Sequence, residues 1–432
     1  MNRMNRTISP AITLALLSPA TLGAPNEEAK DLIRRGDDLF RSGHFAEAEK
    51  AYRAAVADDA PDSRTVLRLG EIALLGNRFT EAERHLQRAV KLLPDDKRPK
   101  SLLAQCYYRQ DKFAQAAPIY RDIGREAAAD QLASFAGLTP YEVSGGANVA
   151  HVKFEQTDPL PVVKARINDS DEVYLLIDTG APALGLAPDF AESVGARRFG
   201  PPEMITFAGG KKAPVHHGTI ESIQLGEFEI TSVPVNLREG PRLPMGKRID
   251  GVIGTALLYH FVSTLDYPNG ELILRRKRSK GLEELNRLAK SPRTHAVPFW
   301  MAGAHTMVAW GRVNDAEPCL LFVDTGLALM GVGGFVAHKS MIKEAGIDLS
   351  GLPSFQGIGG GGPVTVTPFK VNTLALGGAK QHDLTGVFGA LPPEDEYGHG
   401  FRIGGIISHA FFRPYALTLD FDRMQLYLSP PQ

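Results

Sequence analysis

Two carboxylates in this sequence sit where carboxylates are costly to keep. Asp178 ends the run Val173-Tyr-Leu-Leu-Ile-Asp178-Thr179-Gly180-Ala181, and Asp324 ends Cys319-Leu-Leu-Phe-Val-Asp324-Thr325-Gly326-Leu327. Each run reads as a short apolar strand entering a tight Asp-Thr-Gly turn. The apolar residues call for burial, and a buried carboxylate must be paired, hydrogen-bonded or neutralised. Two such turns in one chain imply that the carboxylates meet. Carboxylates in contact cannot both ionise readily, so one pKa rises, the other falls, and the pair titrates as a unit. One member then acts as a base that activates water and the other as an acid. That chemistry asks for no cofactor and no metal.

The surrounding sequence is duplicated. Arg166-Ile-Asn168 precedes the first turn and Arg312-Val-Asn314 the second, and both pairs of segments stand 146 residues apart. Downstream, Asp250-Gly-Val-Ile-Gly254 runs on to Thr264-Leu-Asp266, and Gly404-Gly-Ile-Ile-Ser408 runs on to Thr418-Leu-Asp420. Each unit closes on a hairpin strand, Glu271 to Leu274 and Gln425 to Leu428. After Pro140, alternating apolar residues with Gly and Pro predict many short strands. Residues 275–294 are polar, with a short helix expected at Leu282 to Ala289, and read as a linker. Asp266 and Asp420 stand at equivalent positions before a turn, where hairpin geometry explains them.

This pattern resembles the aspartic peptidases of retroviral and pepsin type. The matching elements are the hydrophobic-Asp-Thr-Gly turn and the later hydrophobic-hydrophobic-Gly segment, which in that family supports the turn from beneath. The resemblance implies an all-β, bilobal domain with lobe one at 148–274 and lobe two at 295–430. It implies peptide-bond hydrolysis by Asp178 and Asp324. Thr179 and Thr325 would bond across the lobe interface, while Gly180 and Gly326 let backbone approach the carboxylates. A peptide or protein substrate would lie extended in the cleft. Gly209 and Gly210 mark a covering flap in lobe one, and Gly359 and Gly360 one in lobe two. Lobe two departs from the family at Leu327, where a small residue is usual, and at Ser408, where Gly is expected. Three readings stay open: an active peptidase, an inactive peptide- or protein-binding module on the same fold, and a lobe one that works only in a homodimer.

The first part of the chain is of another kind. Gly36, Gly70 and Ala104 recur with a period of 34, as do Phe45, Phe79 and Phe113, and Tyr52, Leu86 and Tyr120. The period resembles three tetratricopeptide repeats, so 27–136 is predicted to be α-helical, with Ala127 to Ala136 as a capping helix. Such arrays offer a concave face to a protein partner, or they serve as a platform for the rest of the chain. The fold class expected is thus multidomain: helical repeats, then an all-β acid-protease-like domain.

At 432 residues, two or three domains are expected. The net charge of −1 gives no general attraction to nucleic acid or anionic membrane. The basic run Arg275 to Lys280 reads as solvated linker. Residues 1–24 carry Arg3 and Arg6, an apolar Ile8 to Leu17 and small residues at Ala20, Gly23 and Ala24. That predicts a signal peptide and an exported protein, periplasmic or extracellular, with no integral membrane segment after its removal. Cys106 and Cys319 are expected as buried thiols rather than a disulfide. His216 and His217 read as a solvent-facing strand pair, and Trp300 and Trp310 as core.

Overall fold

The period of 34 becomes three helix pairs in the computed structural model, which describes residues 27–56, 62–207, 210–239, 248–277, 282–327, 333–359 and 362–431. The predicted signal peptide lies outside the described residues. Helices α1 (Glu27–Arg41) and α2 (Phe45–Ala55), α3 (Ser63–Leu75) and α4 (Phe79–Leu92), and α5 (Lys97–Tyr108) and α6 (Phe113–Asp122) pack pairwise, and α7 (Glu126–Ala133) follows. The small positions set the spacing within a pair. A Cβ on Gly36 would lie 2.7 Å from the Tyr52 ring, and one on Gly70 would lie 2.9 Å from the Leu86 side chain. Asp62 and Asp96 start helices by accepting from the N–H of Thr65 (3.2 Å) and Arg98 (2.8 Å).

These helices are built into the second half of the chain. Phe40, Phe45, Tyr52 and Ile72 share one buried cluster with Leu320 and Phe401. Trp300 and Trp310 lie at this seam, against Phe45 (5.4 Å between ring centroids) and His44 (4.8 Å). The buried Arg109 donates to the carbonyls of Leu74 (2.8 Å) and Met301 (2.7 Å), joining repeat to lobe two. Gln131 on α7 donates to the carbonyls of Gly218 (2.6 Å) and Val235 (3.0 Å), joining repeat to lobe one. The repeats therefore hold both lobes.

The lobes are duplicates in space. In lobe one the strand Val173–Ile177 runs parallel to Gly251–Ile253; in lobe two Cys319–Asp324 runs parallel to Gly405–Ser408. One antiparallel sheet continues through both lobes in the order Val149–Gln156, Glu271–Arg276, Phe261–Asp266, Ala416–Asp420, Gln425–Ser429, His295–Ala302. Its centre is the pair Thr264 and Thr418, whose hydroxyls meet at 2.8 Å. Asp266 accepts from Asn269 N–H (3.1 Å) and Asp420 from Arg423 N–H (3.1 Å), which closes the two hairpins.

Three expectations are corrected. The closing strand of lobe one runs to Arg276, past the expected boundary at 274, and a strand Glu142–Ser144 precedes the expected start at 148. Arg275 and Arg276 are therefore not solvated linker: Arg275 is buried and donates to Thr264 (2.8 Å), and Arg276 caps the carbonyls of Val143, Ser144, Gly145 and Ala147. His217 is buried, not solvent-facing, because its ring turns to Glu203 (3.3 Å), which also binds Arg125 of the repeats. The helix after lobe one spans Leu282–Lys290. Cys106 and Cys319 are buried free thiols, each pushed up to about 12 by burial.

Candidate active site

The two Asp-Thr-Gly turns meet on the pseudo-twofold axis between the lobes. Thr179 N–H donates to the Thr325 hydroxyl (3.1 Å), and Thr325 N–H donates to the Thr179 hydroxyl (3.0 Å). Each hydroxyl donates in turn to a carbonyl of the other lobe, Thr179 to Val323 (3.0 Å) and Thr325 to Ile177 (3.4 Å). Both threonines are fully buried, so these partners are obligatory. The cage leaves each carboxyl facing the other within hydrogen-bond reach. Asp178 accepts from Gly180 N–H (2.7 Å) and Asp324 from Gly326 N–H (2.8 Å). Each glycine is pressed against the carboxyl of the opposite lobe. A Cβ on Gly180 would lie 2.6 Å from Cγ of Asp324, and one on Gly326 would overlap the Asp178 carboxyl.

The segment beneath the turn holds it in register. In lobe one Asp178 N–H donates to Ile253 (3.0 Å), and the buried Thr255 hydroxyl donates to Thr179 O (2.9 Å). Gly254 has no room for a side chain, since a Cβ would lie 2.7 Å from Ala181 O. Lobe two solves the same position differently. Ser408 is accommodated, and its hydroxyl donates to Gly333 O (2.6 Å). Leu327 does not cover the dyad; it packs into an apolar cluster with Val336, Val364, Val366 and Val387. His409 follows Ser408, buried, with its ring 3.2 Å from Asp158 of lobe one, and burial pushes it down to about 4.

The electrostatics of the pair are unequal. Burial raises both carboxyls, although each keeps some solvent exposure. Asp178 is raised the less, because the Arg238 guanidinium and the Gly180 N–H favour its charged form. Asp324 is held well above the usual carboxylate range by burial and then by the charge of Asp178. Both carboxyls are thus shifted toward the protonated form, Asp324 the more. Tyr267 is buried nearby, its phenol raised by burial and then by Asp324.

Each lobe carries one glycine-bearing hairpin. In lobe one Arg197–Thr206 and Lys212–Leu225 form the arms, and Gly210 N–H donates to Phe207 O (3.0 Å) at the tip. In lobe two the arms are Phe355–Gly359 and Gly362–Leu376, closing with Gly359 opposite Gly362. Gly209 and Gly360 lie outside the described residues. Gly210 adjoins Pro392, and the Lys211 side chain adjoins Gly362, so the lobe-one tip reaches across to lobe two. Among the described residues no group of three His, Cys, Asp or Glu is placed to hold a metal ion, and no helix is long and apolar enough to cross a membrane.

Sequence reasoning brought together Asp178, Asp324, Thr179, Thr325, Gly180 and Gly326, and the structure assembles all six. It missed Arg238, which directly follows the strand Phe228–Leu237 and belongs to no motif; only the pairing of that strand with Leu184–Leu186 brings it toward the turn. It also missed Thr255, whose hydroxyl supports the turn.

A two-lobed β domain with paired Asp-Thr-Gly turns is of the aspartic-protease class. Residues 163–257 match the family model described as Aspartyl protease, and residues 33–97 and 77–136 match two models described as Tetratricopeptide repeat. The chain carries an aspartyl protease domain preceded by tetratricopeptide repeats. The protease match covers Asp178-Thr-Gly180 and Val252-Ile-Gly254 of lobe one, and lobe two lies beyond it. No curated protein matches the chain.

Proposed function

We propose that the β domain is an aspartic-type endopeptidase in which Asp178 and Asp324 cleave peptide bonds through activated water. The reciprocal threonine cage carries this reading, because it supports two carboxyls in contact that hold one proton. Asp178, ionised, takes a proton from water, whose oxygen attacks the peptide carbonyl carbon. Asp324 gives its proton to the carbonyl oxygen, which leaves a neutral diol. As the C–N bond breaks, the proton on Asp178 passes to the leaving nitrogen, and a diol hydroxyl returns a proton to Asp324. Both groups end as they began. The substrate is an extended peptide or protein segment beneath the two hairpins.

The test is digestion of a mixed peptide library by the purified chain from acid to neutral pH. Asp178→Asn is expected to abolish fragments while leaving the thermal melt intact; undiminished cleavage by that variant ends the assignment. One observation favours a second reading, a module that binds peptides without cutting: lobe two departs at Leu327 and Ser408 and lies beyond the family match. Binding without fragments at every pH would select it.

The same proposal places the protein outside the cytoplasm, periplasmic or extracellular, after removal of residues 1–24. An N-terminus beginning after Gly23 or Ala24 in material recovered from there is the expected result, and an intact Met1 refutes it. The repeats act chiefly as a brace, since Arg109, Gln131 and the cluster of Phe40 and Phe45 are committed to the lobes. A protein partner would have to use the remaining surface, such as the α4 face bearing Arg84, Gln87 and Arg88. Pull-down with that face charge-reversed tests the partner.

A further inference from the structure

Arg238 poses a question the dyad does not answer. A half-buried guanidinium loses part of its hydration and is kept only where something repays it. Arg238 lies within electrostatic reach of Asp178. Its side chain lies over the Phe207 ring at 5.3 Å, at the base of the lobe-one hairpin tip. Among the described residues no carboxylate forms an ion pair with it.

The duplication supplies an internal control. In lobe one Gly185 stands opposite Val252 and beside Asn236, and Leu186 beside Leu237. In lobe two Val336 stands opposite Ile406 and beside Val387, and Ala337 beside Phe388. Gly185 and Val336 are therefore mates, and the residues one step past Leu237 and Phe388, Arg238 and Gly389, are mates too. Lobe one pairs a cation with a small residue: a Cβ on Gly185 would lie in contact with the Arg238 Nε at 3.6 Å, so a branched side chain there would crowd the guanidinium. Gly185 has no positive φ, so space and not backbone freedom is what it supplies. Lobe two fills the mate of that space with Val336 inside the apolar cluster that also takes Leu327. The same fold thus sets a guanidinium near one turn and packed hydrocarbon beside the other.

We propose that Arg238, with Phe207 and the space at Gly185, forms a specificity pocket that reads a carboxylate on the substrate, a Glu or Asp side chain close to the cleaved bond on the lobe-one side. The proposal rests on the reading of the cleft as a peptide site. A planar guanidinium with free donors is suited to bidentate pairing with a carboxylate, and a neutral amide cannot match it. An extended substrate rises about 3.3 Å per residue, so a side chain reaching a group beside Asp178 belongs to a residue within about two of the cleaved bond. Lys211 and Lys212 on the same hairpin are exposed and carry the same sign.

The experiment uses the full chain and two readouts. Fragments from a mixed peptide library are sequenced, and binding of a matched Glu and Gln peptide pair is measured by fluorescence anisotropy with the Asp324→Asn variant. The expected result is enrichment of Glu or Asp on one side of the cut and a preference for Glu over Gln of about ten- to a hundredfold. In Arg238→Gln that preference falls to near one, while Arg238→Lys keeps part of it. Gly185→Val, which copies lobe two, reduces it as well and guards against misfolding of the first variant; thermal melts accompany all three. Fragments without acidic enrichment overturn the pocket and leave the peptidase reading standing. A Glu preference in binding that depends on Arg238, with no fragments, supports the pocket and removes the peptidase. Equal binding of both peptides without enrichment refutes the pocket.

Discussion

Gly180 offers the sharpest test of the site. It adopts an ordinary negative φ, so alanine brings no backbone strain, only one methyl group. That methyl would lie 2.6 Å from Cγ and 2.7 Å from Oδ1 of Asp324. Non-bonded carbons settle at about 3.5 Å or more, so the carboxyl or the turn must retreat by roughly 1 Å. The threonine cage opposes movement of the turn, because Thr179 is fixed at both its N–H and its hydroxyl. The displacement therefore falls on the Asp324 carboxyl and its shared proton. A misplacement of about 1 Å costs on the order of 100-fold in rate.

The assay is kcat/KM on a peptide that the wild type cleaves, with a thermal melt beside it. Gly180→Ala is expected to lose on the order of 100-fold in kcat/KM, chiefly in kcat, while remaining folded. Gly146→Ala is the control, because a methyl there meets nothing within 4 Å. Retention of more than half the wild-type rate by Gly180→Ala would refute the claim that the two carboxyls work in contact.

Two further outcomes follow from the same geometry. Asp324 has a folded pKa above its unfolded value, so its contribution to stability is fully present below about 3.9 and is lost as pH rises through the folded value. Asp324→Asn has no such proton to lose, so it should melt above the wild type at neutral pH, by about 1.4 kcal/mol for each pKa unit of elevation, with the gap closing toward pH 4. A gap that does not change with pH contradicts the shared proton. At the junction of repeats and lobe two, Arg109→Gln gives up charged hydrogen bonds to Met301 and Leu74 and should weaken docking by about 1.5–3 kcal/mol. Limited proteolysis around residues 134–141 should quicken; an unchanged digestion pattern contradicts the brace.

The dyad was legible because its signals are local. Four or five apolar residues, an Asp-Thr-Gly turn and a later apolar pair before Gly or Ser are short strings, and duplication sets them apart from chance. The helical period was legible for a related reason, since Gly36 and Gly70 must be small to admit Tyr52 and Leu86. What stayed hidden depends on contacts between distant segments. Arg238 is one cation at a strand end until the parallel pairing with Leu184–Leu186 carries it to the turn. His217 looks exposed by alternation until Glu203 and Arg125 close over it. Phe45, Trp300 and Trp310 read as core, yet the sequence does not reveal that they belong to one core spanning two domains.

The departures in lobe two take their meaning from this division. In a symmetric pair, two identical turns would leave the proton equally on either carboxyl. Here the turns stay alike where they touch, through the threonines and the two glycine N–H donors, and differ one layer out. Lobe one keeps Gly185 and places Arg238 near its carboxyl; lobe two fills the corresponding space with Val336 and lodges Leu327 beside it. Burial raises both carboxyls; the Arg238 cation offsets it at Asp178, and the charge of Asp178 adds to it at Asp324. Neither Leu327 nor Ser408 disturbs the threonine cage: Leu327 packs into the apolar cluster, and the Ser408 hydroxyl donates to Gly333 O. Duplication supplied the contact between carboxyls, and divergence around it made their surroundings unequal.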